Sequence, residues 1–388
     1  MTTPRTTRSH IPTPGALSLT SPRAVSDLTW LDWWNSASVE VLWALSGAAD
    51  ADLALNSLYR LMVALDNHQG NHDDIDHAIR TDPVFRVRLF ALLGASSVLG
   101  DHLIANPTTW HLLRHDAPTR RDMLRELLGR IGAAPAGLVG DTATDTLDNV
   151  GTYRAAGTGT TCTTIETTLK QTYRTLLMRI AAIDLAGTYP ENSRRVGQPE
   201  VPLGTVTAQL ADLADAALTA ALAVAIRRVY GDNPVESQLA VIAMGKCGAR
   251  ELNYISDVDV VFVAEPADAA ATRVATELIR LGSHCFFEVD AALRPEGKYG
   301  ALVRTLESHV TYYRRWAETW EFQALLKHRP MTGYLPLGRA YSDVISPLVW
   351  QASQRNSFVA DVQAMRRRVL ENVPEAMKHR ELKLGEGG

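Results

Sequence analysis

Cysteine is scarce in this chain: only Cys162, Cys247 and Cys285 occur among its 388 residues. Their odd number and wide spacing exclude both a disulfide framework and a C-x-x-C metal clip. Scattered free thiols are typical of a reducing compartment, so we expect a cytoplasmic protein.

An excess of charge of one sign is also missing. Lys and Arg number 39 against 43 Asp and Glu, which gives a net charge of -4. A protein that coats nucleic acid by neutralising phosphates needs a strongly positive balance. We therefore expect protein or small-molecule partners and no nucleic acid.

Long apolar runs are absent as well. The most apolar segment, residues 213–226, contains Asp215 and is shorter than the roughly 20 residues that a spanning helix needs. Residues 1–23 are basic and rich in Ser, Thr and Pro, without the apolar core of a secretory signal. We predict no membrane partner and a disordered tail over residues 1–28, with a transit peptide as the alternative.

Most of the remaining chain has helical periodicity. Apolar residues recur at i, i+3 and i+4 over residues 29–200, except in a loop over 140–168 that is rich in Thr and Gly and that we expect to be flexible. A long alanine-rich helix is predicted over 205–229, and helical spacing returns after residue 306. Between them lie strand-like runs at 238–244, 258–263 and 286–293, with a helix over 273–285. The fold class predicted is therefore α+β, mostly helical, with a small α/β core between helical regions.

Two aspartates precede and enter one of these strands, in the stretch ISDVDVVFV. Residues two apart in a strand point to the same side, about 6.6 Å apart, so Asp257 and Asp259 face one way while Val258 and Val260 face the core. Carboxylates in such a setting need a positive partner, and Mg²⁺ prefers carboxylate oxygens. A third acid from a neighbouring strand would complete a metal site; Asp290 is the first choice and Glu288, two residues earlier, is the alternative.

A glycine turn follows the preceding strand. Gly245, Lys246, Cys247 and Gly248 come directly after the apolar run, and glycines there let backbone N–H groups approach an anion, to which Lys246 adds charge. A glycine turn followed about ten residues later by D-x-D in a second strand is the layout of the nucleotidyltransferase superfamily typified by DNA polymerase β.

Three longer strings are more specific: GKCGARELNYISDVDVVF, DAALRPEGKYGALVRTLESHVTYY and RWAETWEFQALLKHRP. Together they closely resemble the bacterial glutamine synthetase adenylyltransferase/adenylyl-removing enzymes, in an actinobacterial form. The resemblance extends from about residue 43 to the C-terminus and is densest over 239–331. Members of that family are tandems of two nucleotidyltransferase units, of which the N-terminal one removes AMP from a tyrosine of glutamine synthetase and the C-terminal one attaches it.

The resemblance implies a domain division. It places the helical region at 29–200, the polymerase-β-like nucleotidyltransferase core at 201–334 and a further helical region at 335–388. The final residues, ELKLGEGG, stand where the family sequence continues, so we expect a shortened chain that holds only the first unit.

The resemblance also implies roles for individual residues. Asp257, Asp259 and Asp290 would be the catalytic metal ligands, for Mg²⁺ or alternatively Mn²⁺. The residues expected to bind nucleotide or phosphate are Gly245, Lys246, Ser256, Arg294, Lys327 and Arg329, the last two on a following helix. Glu251, Asn253 and Glu321 would support the site. Ala292 stands where the family commonly has an arginine, which removes one expected anion contact.

The function implied is phosphorolysis: inorganic phosphate attacks the adenylyl phosphorus of adenylyl-tyrosine on glutamine synthetase and releases ADP. Glutamine synthetase is then the protein substrate, phosphate, ADP and ATP are the small-molecule partners, and a PII-type nitrogen signalling protein is the expected regulator. The alternative is a non-catalytic regulatory module that binds a nucleotide or a signalling protein without turnover. Nucleotide binding that ignores Mg²⁺ would favour that alternative.

Overall fold

The computed structural model describes residues 10–69, 72–135, 152–156, 162–189 and 200–371. Within them it is mostly helical with a small mixed sheet, as the composition and periodicity predict. The chain divides into two compact units, Met1–Met123 with Lys170–Leu213, and Leu124–Leu169 with Ala214–Gly388.

The first unit is built from short helices around one apolar core. Its helices are α1 (Ala24–Trp30), α2 (Val39–Leu45), α3 (Ala51–Gln69), α4 (Asp73–Thr81), α5 (Pro83–Ala95) and α6 (Ser97–Ala105), with 3-10 turns at Pro14–Leu17, Ser36–Ser38 and Pro107–Arg114. Helix α5 begins at a proline and is capped by Asp82, whose Oδ1 accepts the Phe85 N–H at 3.0 Å. Phe85 and Phe90 are fully buried in the core of this unit.

The prediction of a disordered tail over residues 1–28 is wrong for residues 10–28. Leu17 and Leu28 are fully buried in the core of the first unit. Asp52 of α3 also accepts hydrogen bonds from Thr20 and Ser21. Apolar burial and these bonds offset the entropy of ordering a segment that composition alone marks as disordered. Residues 1–9 lie outside the described residues.

Three helices connect segments of the chain that belong to the two units: α7 (Arg120–Arg130), α8 (Cys162–Gly187) and α9 (Leu203–Tyr230). The helix predicted over 205–229 is confirmed by α9. By length and composition α9 could cross a membrane, but 89% of its most apolar window is buried inside the structure, as in the core helix of a soluble protein.

Part of the predicted threonine-rich loop over 140–168 has regular structure. Strand β1 (Ala134–Pro135) pairs with β2 (Tyr153–Arg154), and α8 begins at Cys162. The loop prediction is therefore wrong for residues 153–154 and 162–168; residues 140–151 and 157–161 lie outside the described residues.

The second unit contains the main sheet. Its strands are β3 (Gln238–Ala243), β4 (Val258–Glu265), β5 (Val289–Asp290), β6 (Val303–Arg304) and β7 (Arg329–Gly333). β3 lies between β4 and β7 and is antiparallel to both, while β5 and β6 lie one after the other along the far side of β4 and are parallel to it. The polymerase-β-like topology stays a prediction.

Helices of the second unit surround this sheet: α10 (Gly245–Gly248, a single turn), α11 (Ala269–Cys285), α12 (Leu306–Arg315), α13 (Thr319–Leu325), α14 (Leu335–Ser353) and α15 (Phe358–Glu371). Side chains of α12, α13 and α14 form one apolar core with β3 and β4. Helix α14 thus belongs to the core layer, whereas the prediction places it in a separate region from residue 335.

Strand lengths differ from prediction at two places. The run 286–293 forms only the two-residue strand β5, because the Asp290 carboxylate accepts the Ala292 N–H at 2.7 Å and turns the chain. Strand β7 was not predicted from the sequence, because Pro330 interrupts the strand pattern. The proline is tolerated because β7 is an edge strand that pairs only with β3 among the described strands.

Candidate functional site

The acidic residues meet at the start of β4. In the parallel pairing of β4 with β5, Asp259 stands directly opposite Asp290, and Val258 stands opposite Val289. Asp257 lies two residues before Asp259, just outside the strand. Val258 and Val260 are fully buried while Asp257 and Asp259 are half-buried, which agrees with the alternation predicted from the sequence.

Several hydrogen bonds orient this group. Asp290 accepts the Ala292 N–H on Oδ1 at 2.7 Å, and Asp257 accepts the Ser256 hydroxyl on Oδ1 at 3.4 Å. The backbone carbonyl of Asp259 accepts the Met244 N–H at 2.9 Å, which ties the strand to the residue before the glycine turn. Ser256, predicted to contact phosphate, therefore lies beside the first of the acids.

The donor set is chemically suited to a divalent cation, since carboxylates on adjacent strand positions are the ligands that Mg²⁺ prefers. In the conformation described, no three His, Cys, Asp or Glu side chains within the described residues form a ready metal-binding group. The backbone brings Asp259 and Asp290 together, so rotation of side chains is what a shared ion would require.

The glycine turn lies against the second acid. Gly245 has φ +53°, and a Cβ placed on it would lie 2.9 Å from Oδ2 of Asp259. Only glycine combines this left-handed backbone with so close an approach to a carboxylate. The residues of the turn form the single helical turn α10, and Lys246 within it is half-buried.

The other end of the turn contacts the segment between α13 and β7. A Cβ on Gly248 would lie 1.9 Å from the carbonyl oxygen of Lys327, so the two backbones touch there. Lys327 forms an ion pair with Glu251, and both side chains are about half exposed, at 49% and 57%. Lys327 follows α13 and Arg329 opens β7; the prediction that these basic residues lie on a helix is wrong, because the chain returns to the sheet there.

Arg329 is held within the protein. Its guanidinium forms a two-bond ion pair with Asp215 of α9, at 2.8 and 2.9 Å, and it also donates to the carbonyls of Cys247 at 3.1 Å and Gly248 at 3.2 Å. The Asp215 side chain is 0% exposed. Contact of Arg329 with phosphate stays a prediction, and it would compete with this network.

Arg294 closes the loop that follows Asp290. It donates to the carbonyls of Ala291 at 2.7 Å, Lys298 at 2.9 Å and Gly300 at 3.0 Å. A phosphate contact for Arg294, which stays a prediction, would require the guanidinium to leave these carbonyls. Ala292, at the position of the missing family arginine, is exposed in the same loop.

The supporting residues differ in their surroundings. Glu321 is buried; it accepts the Tyr312 hydroxyl and the Glu318 N–H, both at 2.8 Å, and closes the capping box of α13. Glu321 therefore stabilises the start of α13. Asn253 is exposed in the loop before Asp257, and Glu288, the alternative third ligand, is exposed outside β5.

Asp215 is a residue of this region that the sequence did not assign to the site. The available signal was an acid inside the alanine-rich run of a core helix, which requires a buried cationic partner. Cys247 is also buried beside this ion pair; burial, and to a lesser extent the Asp215 charge, raises the pKa of its thiol, so it is an inert packing residue.

The comparisons define the class of protein. The sequence profile described as glutamate-ammonia ligase adenylyltransferase matches residues 155–342, which include the acids, the glycine turn and the 327–329 segment. Proteins of this family are nucleotidyltransferases that act on glutamine synthetase.

Curated relatives extend the match to nearly the whole chain. The bifunctional glutamine synthetase adenylyltransferase/adenylyl-removing enzyme of Corynebacterium efficiens is 60% identical over 393 residues, which cover 98% of this chain and 37% of the relative. The enzymes of the same name from Corynebacterium glutamicum and Nocardia farcinica are 61% and 56% identical, over 98% and 100% of this chain and 37% of each relative. The chain belongs to this family, and it spans a little over a third of the length of these relatives.

Proposed function

We propose that the chain removes AMP from an adenylyl-tyrosine of glutamine synthetase by phosphorolysis, as the adenylyl-removing unit of its family. The observation that supports this best is the pairing of Asp259 with Asp290 on adjacent parallel strands, with the Gly245 turn against Asp259. This arrangement lies inside the segment that matches the family profile. The enzyme names of the relatives supply the substrate.

In the proposed reaction an oxygen of inorganic phosphate attacks the adenylyl phosphorus. The new P–O bond makes ADP, the bond from phosphorus to the tyrosine oxygen breaks, and the phenolate then takes a proton. Tyrosine has a pKa of about 10, so its oxygen is an adequate leaving group once a cation meets the developing charge. The main obstacle is repulsion between the phosphate and the phosphodiester anion.

Groups of this chain would lower that repulsion. Asp257, Asp259 and Asp290 would hold Mg²⁺, or Mn²⁺ in its place, and the bound cation would neutralise developing negative charge on the transferred group. Lys246, which is half-buried on the glycine turn, would add a positive charge beside the acids. Lys327 would do so after leaving its exposed ion pair with Glu251, which costs little at such exposure.

Partners and location follow from the same proposal. The protein substrate is glutamine synthetase, a PII-type signalling protein regulates the reaction, and both meet the chain in the cytoplasm. The near-neutral charge balance is consistent with partners other than nucleic acid.

The test uses purified protein with adenylylated glutamine synthetase, inorganic phosphate and Mg²⁺, and measures ADP. We expect ADP release by the wild type and a loss of at least about 100-fold in Asp259→Asn and Asp290→Asn, because each variant would weaken the stabilisation of charge in the transition state. Glu288→Gln is the matched control, because it neutralises an exposed acid two residues from Asp290 and should retain activity.

Three results would contradict the proposal. Full activity in Asp259→Asn would remove the acids from the chemistry. AMP transfer from ATP to unmodified glutamine synthetase, without ADP release in the first assay, would reverse the direction. Nucleotide binding that is independent of Mg²⁺, with no product, would instead indicate the non-catalytic module.

A further inference from the structure

An ion pair between Arg329 and the buried Asp215 holds the backbone of the glycine turn in place. Arg329 donates to both oxygens of the Asp215 carboxylate, at 2.8 and 2.9 Å, and also to the carbonyls of Cys247 and Gly248. We call Asp215, Arg329 and these two carbonyls the turn clamp. It joins α9, β7 and the glycine turn of the second unit.

The chemistry of the clamp requires an arginine. The guanidinium is planar and presents several donors in a fixed fork, so it can bind a carboxylate with two bonds and still donate to backbone carbonyls. Lysine has a single ammonium that cannot meet all four acceptors at once. Asp215 is 0% exposed and the Arg329 side chain 22% exposed, so water competes little for these bonds.

The turn that the clamp holds is in direct contact with one of the acids, Asp259. One end of the turn leaves no room for a Cβ between Gly248 and the Lys327 carbonyl, and the other leaves none between Gly245 and Asp259 Oδ2. A displacement of the turn would therefore change the contact between Gly245 and the Asp259 carboxylate, and with it the position of that carboxylate. Groups that orient metal-ligating side chains in this way commonly affect metal affinity as well as activity.

We propose that Arg329, held by Asp215, is a positioning residue that fixes the glycine turn and thereby the carboxylate of Asp259, in place of a phosphate-binding role. Its effect on catalysis rests on the function proposed above. Its effect on the turn and on cation binding is separate from turnover and can be measured without it.

The test compares Arg329→Lys with Thr332→Val. Thr332 lies on the same strand and accepts the Thr219 hydroxyl of α9 at 2.9 Å, so its variant loosens the same helix and strand without touching the turn. Amide hydrogen exchange of residues 245–251 and Mn²⁺ affinity by calorimetry are measured on both proteins, with thermal unfolding to show that each is folded.

We expect faster exchange in the turn and about 10- to 100-fold weaker Mn²⁺ binding in Arg329→Lys, and neither change in Thr332→Val. Unchanged exchange of the turn in Arg329→Lys would overturn the inference. So would a higher KM for phosphate with unchanged Mn²⁺ affinity, because that result identifies a phosphate ligand. If the wild type binds Mn²⁺ but releases no ADP, the proposed function is wrong. The role of the turn clamp is still tested in that case, by amide hydrogen exchange of the turn and by Mn²⁺ affinity.

Discussion

The close approach of Gly245 to the Asp259 carboxylate predicts the effect of a single methyl group. Gly245→Ala places a Cβ 2.9 Å from Oδ2 and 3.9 Å from Cγ of Asp259, on a backbone with φ +53°. Real Cβ atoms essentially never approach an oxygen this closely, so either the turn or the carboxylate must move. The carboxylate is the end of a side chain and will give way first.

The expected effect of Gly245→Ala has two parts, a loss of stability and a loss of function. An alanine in the left-handed region costs about 1–2 kcal/mol relative to glycine, and this part reduces the free energy of unfolding. The second part is functional: the added methyl group restricts the positions that the Asp259 carboxylate can take, and disturbing the groups that orient a metal ligand typically costs about 10- to 100-fold in metal affinity or activity.

Gly231→Ala separates the two parts. Gly231 also has a left-handed backbone, φ +59°, but nothing lies within 4 Å of a Cβ placed on it. Urea unfolding should therefore show similar losses of about 1–2 kcal/mol in both variants. ADP release and Mn²⁺ binding should fall only in Gly245→Ala.

Wild-type Mn²⁺ affinity and ADP release in Gly245→Ala, together with a loss of stability as in Gly231→Ala, would contradict this prediction. The contact with Asp259 would then have no functional consequence. Equal losses of activity in the two variants would also refute it, since they would trace the loss to instability.

Two further predictions concern stability. Burial acts to raise the pKa of Glu166 and Glu277, but hydrogen bonds and charge from Arg280 and Arg228 outweigh it and hold both values below the ordinary 4.5. Their stabilisation is thus present above the unfolded-state pKa and lost as pH falls through the lower folded-state pKa. Urea unfolding across this acid range should show a smaller decline in Glu166→Gln than in the wild type, and an equal decline would contradict the assignment. Ser342→Ala should leave the melting temperature unchanged or raise it, because the Ser342 hydroxyl is buried with no hydrogen-bond partner among the described residues; a clear fall in thermal unfolding would show that the hydroxyl is satisfied in solution.

Periodicity predicted those elements in which one physical signal dominates. Helix α9 and strands β3 and β4 carry clear apolar patterns of helical or strand type, and the structure places them within two residues of the predicted bounds. The sequence also predicts Asp259 and Asp290 on two neighbouring strands, and the structure pairs them directly, although β5 begins at Val289 and not at residue 286.

Elements decided by tertiary contacts were not predictable in this way. Residues 10–28 have the composition of a disordered tail, yet Leu17 and Leu28 find a core that is formed by distant helices. Strand β7 has a proline in its second position, and its place at the sheet edge makes that tolerable. Neither outcome is encoded in local periodicity.

For the site residues too, the sequence predicts some properties and the tertiary structure decides others. A motif gives the type and spacing of its residues, but the partner of each charge depends on which elements fold next to it. Lys327 and Arg329 stand two residues apart in one motif; Lys327 is half exposed and paired with Glu251, while Arg329 is bound to a carboxylate 114 residues away. Because an exposed ion pair is weak and a buried one is costly to break, we propose that Lys327 is the one of the two that meets a substrate phosphate and that Arg329 is the one that keeps the turn in place.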